Sequence, residues 1–215
     1  MAWNLDFISR DDFKQHVVEC LLHKYAREEK TLDVTMAEEL DPIKLLFDQG
    51  VYGLSWAEAV SRAVAYERDR REDDFNYFHK YIFAYIPHCT VLETGWDVMV
   101  ELPDETEIAP ETTVRRLYAV IKGDDDTLDD ASAEALYRQM AAQVEKEGEA
   151  ACLLVEVAPH MSQNVPWTVD GEVEANPRVR RVSIDRFYAL VTGDRESYPK
   201  VVQALPEILE EVLRK

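Results

Sequence analysis

Phe13, Val17, Val18, Leu21, Leu22 and Tyr25 recur three and four positions apart, the spacing that gathers apolar side chains on one face of a helix. Ser9, followed by Asp12, stands just ahead of them as a capping-box pair, so the pattern predicts a helix from its first turn. A second short helix is predicted over Asp41 to Phe47, with Pro42 in its first turn and Gly50 just beyond its end. Ser55 and Glu58 form another capping-box pair and open a long helical region. It is interrupted near the charged run ERDRREDD at 67–74 and ends before Pro87.

Beyond Pro87 the period shortens. CTVLETGWDVMVEL (89–102) and VRRLYAVIKG (114–123) read as strands, and the acidic, proline-containing segment between them predicts a hairpin. Asp129 to Glu147 is helical, with Leu136, Met140 and Val144 on one stripe. ACLLVEVAP (151–159) is a continuous apolar run of the kind found in a buried central strand. A loop with Pro166, Gly171 and Pro177 leads to VRRVSI, and DRFYALVTG (185–193) and YPKVVQALPEILEEVLRK close the chain as helices. Helices, strands, a helix, strands and helices in that order predict an α/β fold with one mixed sheet flanked by helices on both sides. No repeat or low-complexity linker divides the 215 residues, so a single domain is expected. It has a helical N-terminal part (about 1–87), an α/β core (about 88–193) and a C-terminal helix (about 195–215).

Composition narrows the function classes. Hydrophobic residues make up 47% and charged residues 31%, as in ordinary globular proteins. No apolar run approaches the roughly 20 residues of a membrane span, and MAWNLDFISR lacks the basic start and apolar core of a signal peptide, so a cytoplasmic location is expected. Cys20, Cys89 and Cys152 are scattered and form no CxxC pair, which argues against both a disulfide framework and a zinc knuckle. The five histidines (His16, His23, His79, His88, His160) show no HExxH spacing, which leaves oxygen as the ligand for any metal. A net charge of -19 opposes phosphate backbones unless the basic residues are gathered in one patch.

Asp97, in GWDVMV, is an acid set among apolar strand residues, and Lys122 ends the neighbouring apolar run. A carboxylate that holds Mg²⁺ and a lysine that orients the attacking water are the parts of metal-assisted phosphodiester hydrolysis. The same residue types also occur as structural or solvent-facing groups.

FISRDDFKQHV, DPIKLLFDQGVYGLSW, NYFHKYIF, GWDVMV, the strand ending in IKG, LLVEVAP, and RFYALVTG followed by ALPEILEEV keep one order and approximate spacing. Together they resemble the type II restriction endonucleases that cleave DNA at GG-any base-CC sites, from about residue 7 to the C-terminus. The resemblance implies the restriction-endonuclease-like PD-(D/E)XK fold, Mg²⁺ as cofactor and duplex DNA as substrate; a palindromic site favours a two-fold homodimer, with the oligomeric state left open. It places Asp97 on the family's first aspartate and Lys122 on its lysine, while the second metal-binding acid falls on Val120. The Asn-Lys-His-Asn-Thr segment that follows the lysine in the family corresponds here to Gly123, Asp124, Asp125, Asp126 and Thr127. Glu134, on the helix after the lysine strand, is the candidate substitute acid, with the solvent face of that helix as its plain alternative. His79 matches the histidine of a Phe-His-Gln segment in which Lys80 replaces the glutamine, and a core histidine is an equal reading. Glu156 matches a family glutamate and needs a partner wherever it is buried; a place bordering the active centre and a strand-end or edge position are equal readings.

Arg178, Arg180, Arg181 and Arg186 form the densest basic cluster. Arg180 matches a family arginine, and with Gln163 and Asn164 it offers donors that guanine and phosphate edges accept. Trp56, Trp96 and Trp167 are expected in the core or at its rim. Two functional readings stand: a Mg²⁺-dependent restriction endonuclease with an altered metal site, or a non-catalytic relative that binds DNA or a protein. An acidic DNA mimic ranks below both.

Overall fold

The computed structural model describes residues 3–24, 42–67, 76–123, 128–157, 161–169 and 176–214. Asp41, most of the 67–74 charged run, Asp124 to Thr127 and His160 lie outside them.

Helices α1 (Arg10–Lys24), α2 (Pro42–Tyr52), α3 (Trp56–Glu67) and α4 (Asn76–Tyr81) precede the sheet, and a 3-10 turn (Ile82–Tyr85) continues from α4. Both capping boxes form. The Ser9 hydroxyl accepts the Asp12 N–H at 3.1 Å, and at α3 the pair is reciprocal: Ser55 N–H donates to Glu58 Oε2 at 2.8 Å and Glu58 N–H to Ser55 Oγ at 3.3 Å. Helix α2 runs past Gly50, which the sequence reading had placed beyond its end. Gly50 serves close helix packing: a Cβ there would lie 3.1 Å from Leu213 Cδ1. The turn that follows α2 instead contains Gly53, at φ 65°.

The sheet has six strands: β1 (Cys89–Val91), β2 (Val98–Ala109), β3 (Thr112–Lys122), β4 (Ala150–Glu156), β5 (Asn164–Pro166) and β6 (Val179–Ser183), in the spatial order β1-β2-β3-β4-β6-β5. β1, β2 and β3 pair antiparallel, β3, β4 and β6 pair parallel, and β5 pairs antiparallel to β6. Helix α5 (Asp130–Lys146) makes the crossover from β3 to β4, and α6 (Ile184–Thr192) and α7 (Ser197–Leu213) close the fold.

Three boundaries differ from the sequence reading. The run 89–102 is two strands joined by a tight loop. The hairpin turn lies at Pro110 and Glu111 (φ 62°), because β2 carries Pro103 through a register shift between Glu101 and Thr106. The loop before VRRVSI contains the edge strand β5.

The sheet separates two cores. Leu117, Ala119 and Ile121 of β3 face a large cluster shared with α1, α2, α6 and α7, while Tyr118 and Val120 face a smaller one under α5 with Tyr137, Met140, Val144 and Trp167. β4 is buried along its whole length, as its unbroken apolar run requires. Trp56 is the exception among the tryptophans expected inside: it is 50% exposed at the start of α3.

Candidate active site

The C-terminal ends of parallel strands β3 and β4 meet the start of β2 at one end of the sheet, and the candidate residues collect there. Asp97 ends the loop between β1 and β2. Gly95 lets that loop turn at φ 81°, its carbonyl accepts Gln139 Nε2 of α5 at 2.8 Å, and Trp96 packs on Tyr118 at 5.3 Å between ring centroids. The Asp97 N–H donates to the Ala119 carbonyl at 2.9 Å, and Asp97 Oδ2 accepts the Ile121 N–H at 2.8 Å. Asp97 therefore lies against Ala119 to Ile121, a segment whose middle residue is Val120.

The second oxygen of Asp97 is also engaged. Lys80 Nζ, from α4, donates to Asp97 Oδ1 at 2.8 Å, with the two side chains only 19% and 25% exposed. In the sequence, Lys80 stands only as a departure from the family's glutamine. A lysine arriving in the same chain that loses an acid at Val120 is the signal that could have paired it with Asp97.

Lys122 ends β3 in register with Glu156 at the end of β4, and β3 carries Lys122 to the same sheet face as Val120. No hydrogen bond or ion pair ties the Lys122 ammonium to another described residue. Glu156 is 2% exposed. Arg181 of β6 pairs with it, with Nε at 2.6 Å from Oε1, and Gln163 Nε2 donates to its other oxygen. The partner that a buried glutamate demands is thus an arginine of the predicted basic cluster.

The other candidates are placed elsewhere. Glu134 is on the exposed face of α5, ion-paired to Arg138 one turn on, while Asp129 caps that helix by accepting the Ser132 N–H at 2.7 Å. His79 is fully buried in the core, edge-on to Phe78 with centroids 5.3 Å apart, so consecutive residues of α4 serve the core and Asp97. Arg180 is 4% exposed and donates to Asn164 Oδ1 (2.5 Å), the Asn164 carbonyl (2.8 Å) and the Pro177 carbonyl (3.0 Å). Asn164 Nδ2 in turn donates to the Ile108 carbonyl at 2.9 Å. Arg180, Asn164 and Gln163 thereby hold β5 and its approach to the sheet. Arg178 caps the carbonyls of Glu147, Gly148 and Ala150, and Arg186 donates to Ser162 Oγ at 2.9 Å.

Among the described residues, no three His, Cys, Asp or Glu side chains gather closely enough to hold a metal ion. Burial pushes the pKa values of the Cys89 and Cys152 thiols up to about 12, so both are protonated at neutral pH. No helix of the described residues is long and apolar enough to cross a membrane.

The Staphylococcus aureus protein described as type II restriction enzyme Sau96I is 26% identical over 223 residues, spanning 96% of this chain and 80% of the relative. The family model of the Eco47II restriction endonuclease matches residues 5–214, so the sheet, the Asp97 loop and the Lys122 strand all lie within the match. The chain belongs to the Eco47II restriction endonuclease family.

Proposed function

We propose that this type II restriction endonuclease-like protein binds duplex DNA of the GG-any base-CC kind, as a two-fold dimer, without cutting it through Mg²⁺. The observation that carries the reading is Asp97, whose two carboxylate oxygens are both engaged, one by the Lys80 ammonium and one by the Ile121 N–H. Mg²⁺ requires near-octahedral oxygen ligands at about 2.0–2.1 Å, commonly one or two carboxylates together with substrate phosphates. At this sheet end Val120 offers no oxygen, Asp97 is matched by an ammonium, and Glu156 is matched by a guanidinium. Among the described residues the donor set does not fit the ion.

DNA remains the partner that the family implies. With a net charge of -19, binding depends on local cations such as Lys122 and is steeply salt-dependent.

Two measurements on the full chain test the reading. Fluorescence anisotropy with duplexes that carry or lack the site, at low salt and without metal, is expected to show preferential retention of the matched duplex. A plasmid bearing the site is expected to stay supercoiled at high protein in Mg²⁺ and in Mn²⁺. Metal-dependent nicking that Asp97→Ala abolishes overturns the non-cutting reading. Absence of duplex binding at low salt overturns the DNA reading and favours a protein partner.

A further inference from the structure

Asp97 receives its counter-charge from within the chain. Phe78, His79, Ile82 and Phe83 are at most 1% exposed, so the core fixes the backbone on both sides of Lys80 and aims its side chain at the Asp97 loop. The ammonium then sits 2.8 Å from Oδ1 in a mostly enclosed contact. An ammonium neutralises a carboxylate and offers three N–H donors, but it has no coordination position for water or a phosphate oxygen. A divalent ion supplies both the charge and those positions.

The second half of the exchange is Val120. The backbone groups on either side of it, the Ala119 carbonyl and the Ile121 N–H, are both bonded to Asp97. Val120 itself is partly buried, packed like Trp96 and Met99 against the cluster that includes Tyr118 and Tyr137. Val120 supplies beside Asp97 neither an oxygen ligand nor the second negative charge that would call for a doubly charged ion. One carboxylate matched by one ammonium is balanced, whereas two carboxylates matched by one ammonium are not.

We infer that Lys80 is a built-in replacement for a divalent cation at Asp97, and that positions 80 and 120 together close a latent oxygen-ligand site for Mn²⁺ or Mg²⁺ that exchanging both residues reopens. The inference rests on the reading that the natural chain does not use this metal. It adds that the loss is local and reversible.

The test uses the full chain in four forms: wild type, Lys80→Gln, Val120→Glu and the double variant. Mn²⁺ is titrated against each, the free ion is followed by electron paramagnetic resonance, and melting temperature is recorded with and without millimolar Mn²⁺. The double variant is expected to bind Mn²⁺ at least about tenfold more tightly than wild type and to melt higher with the ion present. Adding Asp97→Asn is expected to remove both effects.

A folded double variant, checked by circular dichroism, that binds Mn²⁺ no better than wild type overturns the inference. So does a wild type that already binds the ion as tightly through Asp97. If the double variant does not fold, Lys80→Gln alone decides. It is expected to melt below wild type and to recover part of the loss in Mn²⁺, while wild type gains nothing, and no recovery overturns the inference. Plasmid cleavage by wild type sinks the non-cutting reading whatever these titrations give. A metal-indifferent wild type with a metal-indifferent double variant sinks only the latent site.

Discussion

Glu156 and Arg181 form an asymmetric ion pair across parallel strands β4 and β6: the glutamate is 2% exposed, whereas the arginine side chain is 35% exposed. Removing the arginine leaves a carboxylate that water cannot reach, while removing the glutamate's charge leaves a guanidinium that water can solvate. Arg181→Met is therefore expected to cost about 3–5 kcal/mol of stability. Glu156→Gln is expected to cost less than half of that, and the double variant to lie between the two. Urea denaturation of all three, analysed as a double-mutant cycle, checks the ordering. Equal single-variant costs would mean that the glutamate is hydrated in place.

Arg180 donates twice to Asn164 of β5 and once to the Pro177 carbonyl, and is 4% exposed. Burial also lowers its pKa from the ordinary value. Arg180→Ala is expected to lower stability by about 2–4 kcal/mol, because a buried side chain is removed together with its three hydrogen bonds to Asn164 and Pro177. A base-reading arginine would behave otherwise: its loss would relax preference at one base pair by about 1–3 kcal/mol. Anisotropy with matched and singly mismatched duplexes, at a temperature where the variant is folded, separates the two roles. Unchanged discrimination is the expected result.

Glu134 and Arg138 are an exposed pair one turn apart, a geometry worth about 0.3–0.5 kcal/mol. Glu134→Ala is expected to change stability by no more than that and to leave duplex binding untouched. Thermal melts and anisotropy measure both. A variant that lost a metal-dependent activity of the wild type would return Glu134 to the role of substitute acid.

Much of the fold was legible because its signals are local. Ser9 with Asp12 and Ser55 with Glu58 cap helices three residues away, Asp129 caps α5, and the apolar run of β4 declares its own burial. The first strand of the hairpin reads as ending at Leu102, short of its observed end at Ala109, because Pro103 and its acidic neighbours carry turn chemistry while that part of the strand is held by pairing across the sheet. At the site, Asp97 and Lys122 could be read from apolar runs broken by a charge. The ion pairs that redefine the site could not: Lys80 and Asp97 are 17 positions apart, Glu156 and Arg181 are 25 apart, and nothing short of the folded sheet brings either pair together. The same limit applied to the arginine cluster. Its density was visible in the sequence, but its acceptors, backbone carbonyls of β5 and of the α5–β4 turn, were not.

His16 sets the acid side of stability. It is fully buried in α1, its Nε2 lies 3.0 Å from the Phe78 carbonyl, and burial pushes its pKa down to about 4 from the ordinary 6.5. The Phe78 carbonyl and the nearby Glu19 favour the charged form and His79 opposes it, but burial outweighs them. Because the folded pKa lies below the unfolded one, the unfolded chain binds a proton between these values that the folded chain refuses. Stability from this group is therefore complete above about pH 6.5 and is lost as pH falls through the window to about 4, a change of about 3 kcal/mol. His16→Gln keeps a donor for the Phe78 carbonyl and removes the titration. The variant is expected to be less stable than wild type at neutral pH but to lose less on acidification. Urea denaturation at several pH values across the window measures the two slopes, and parallel slopes would show that the imidazole is protonated without leaving its place in the core.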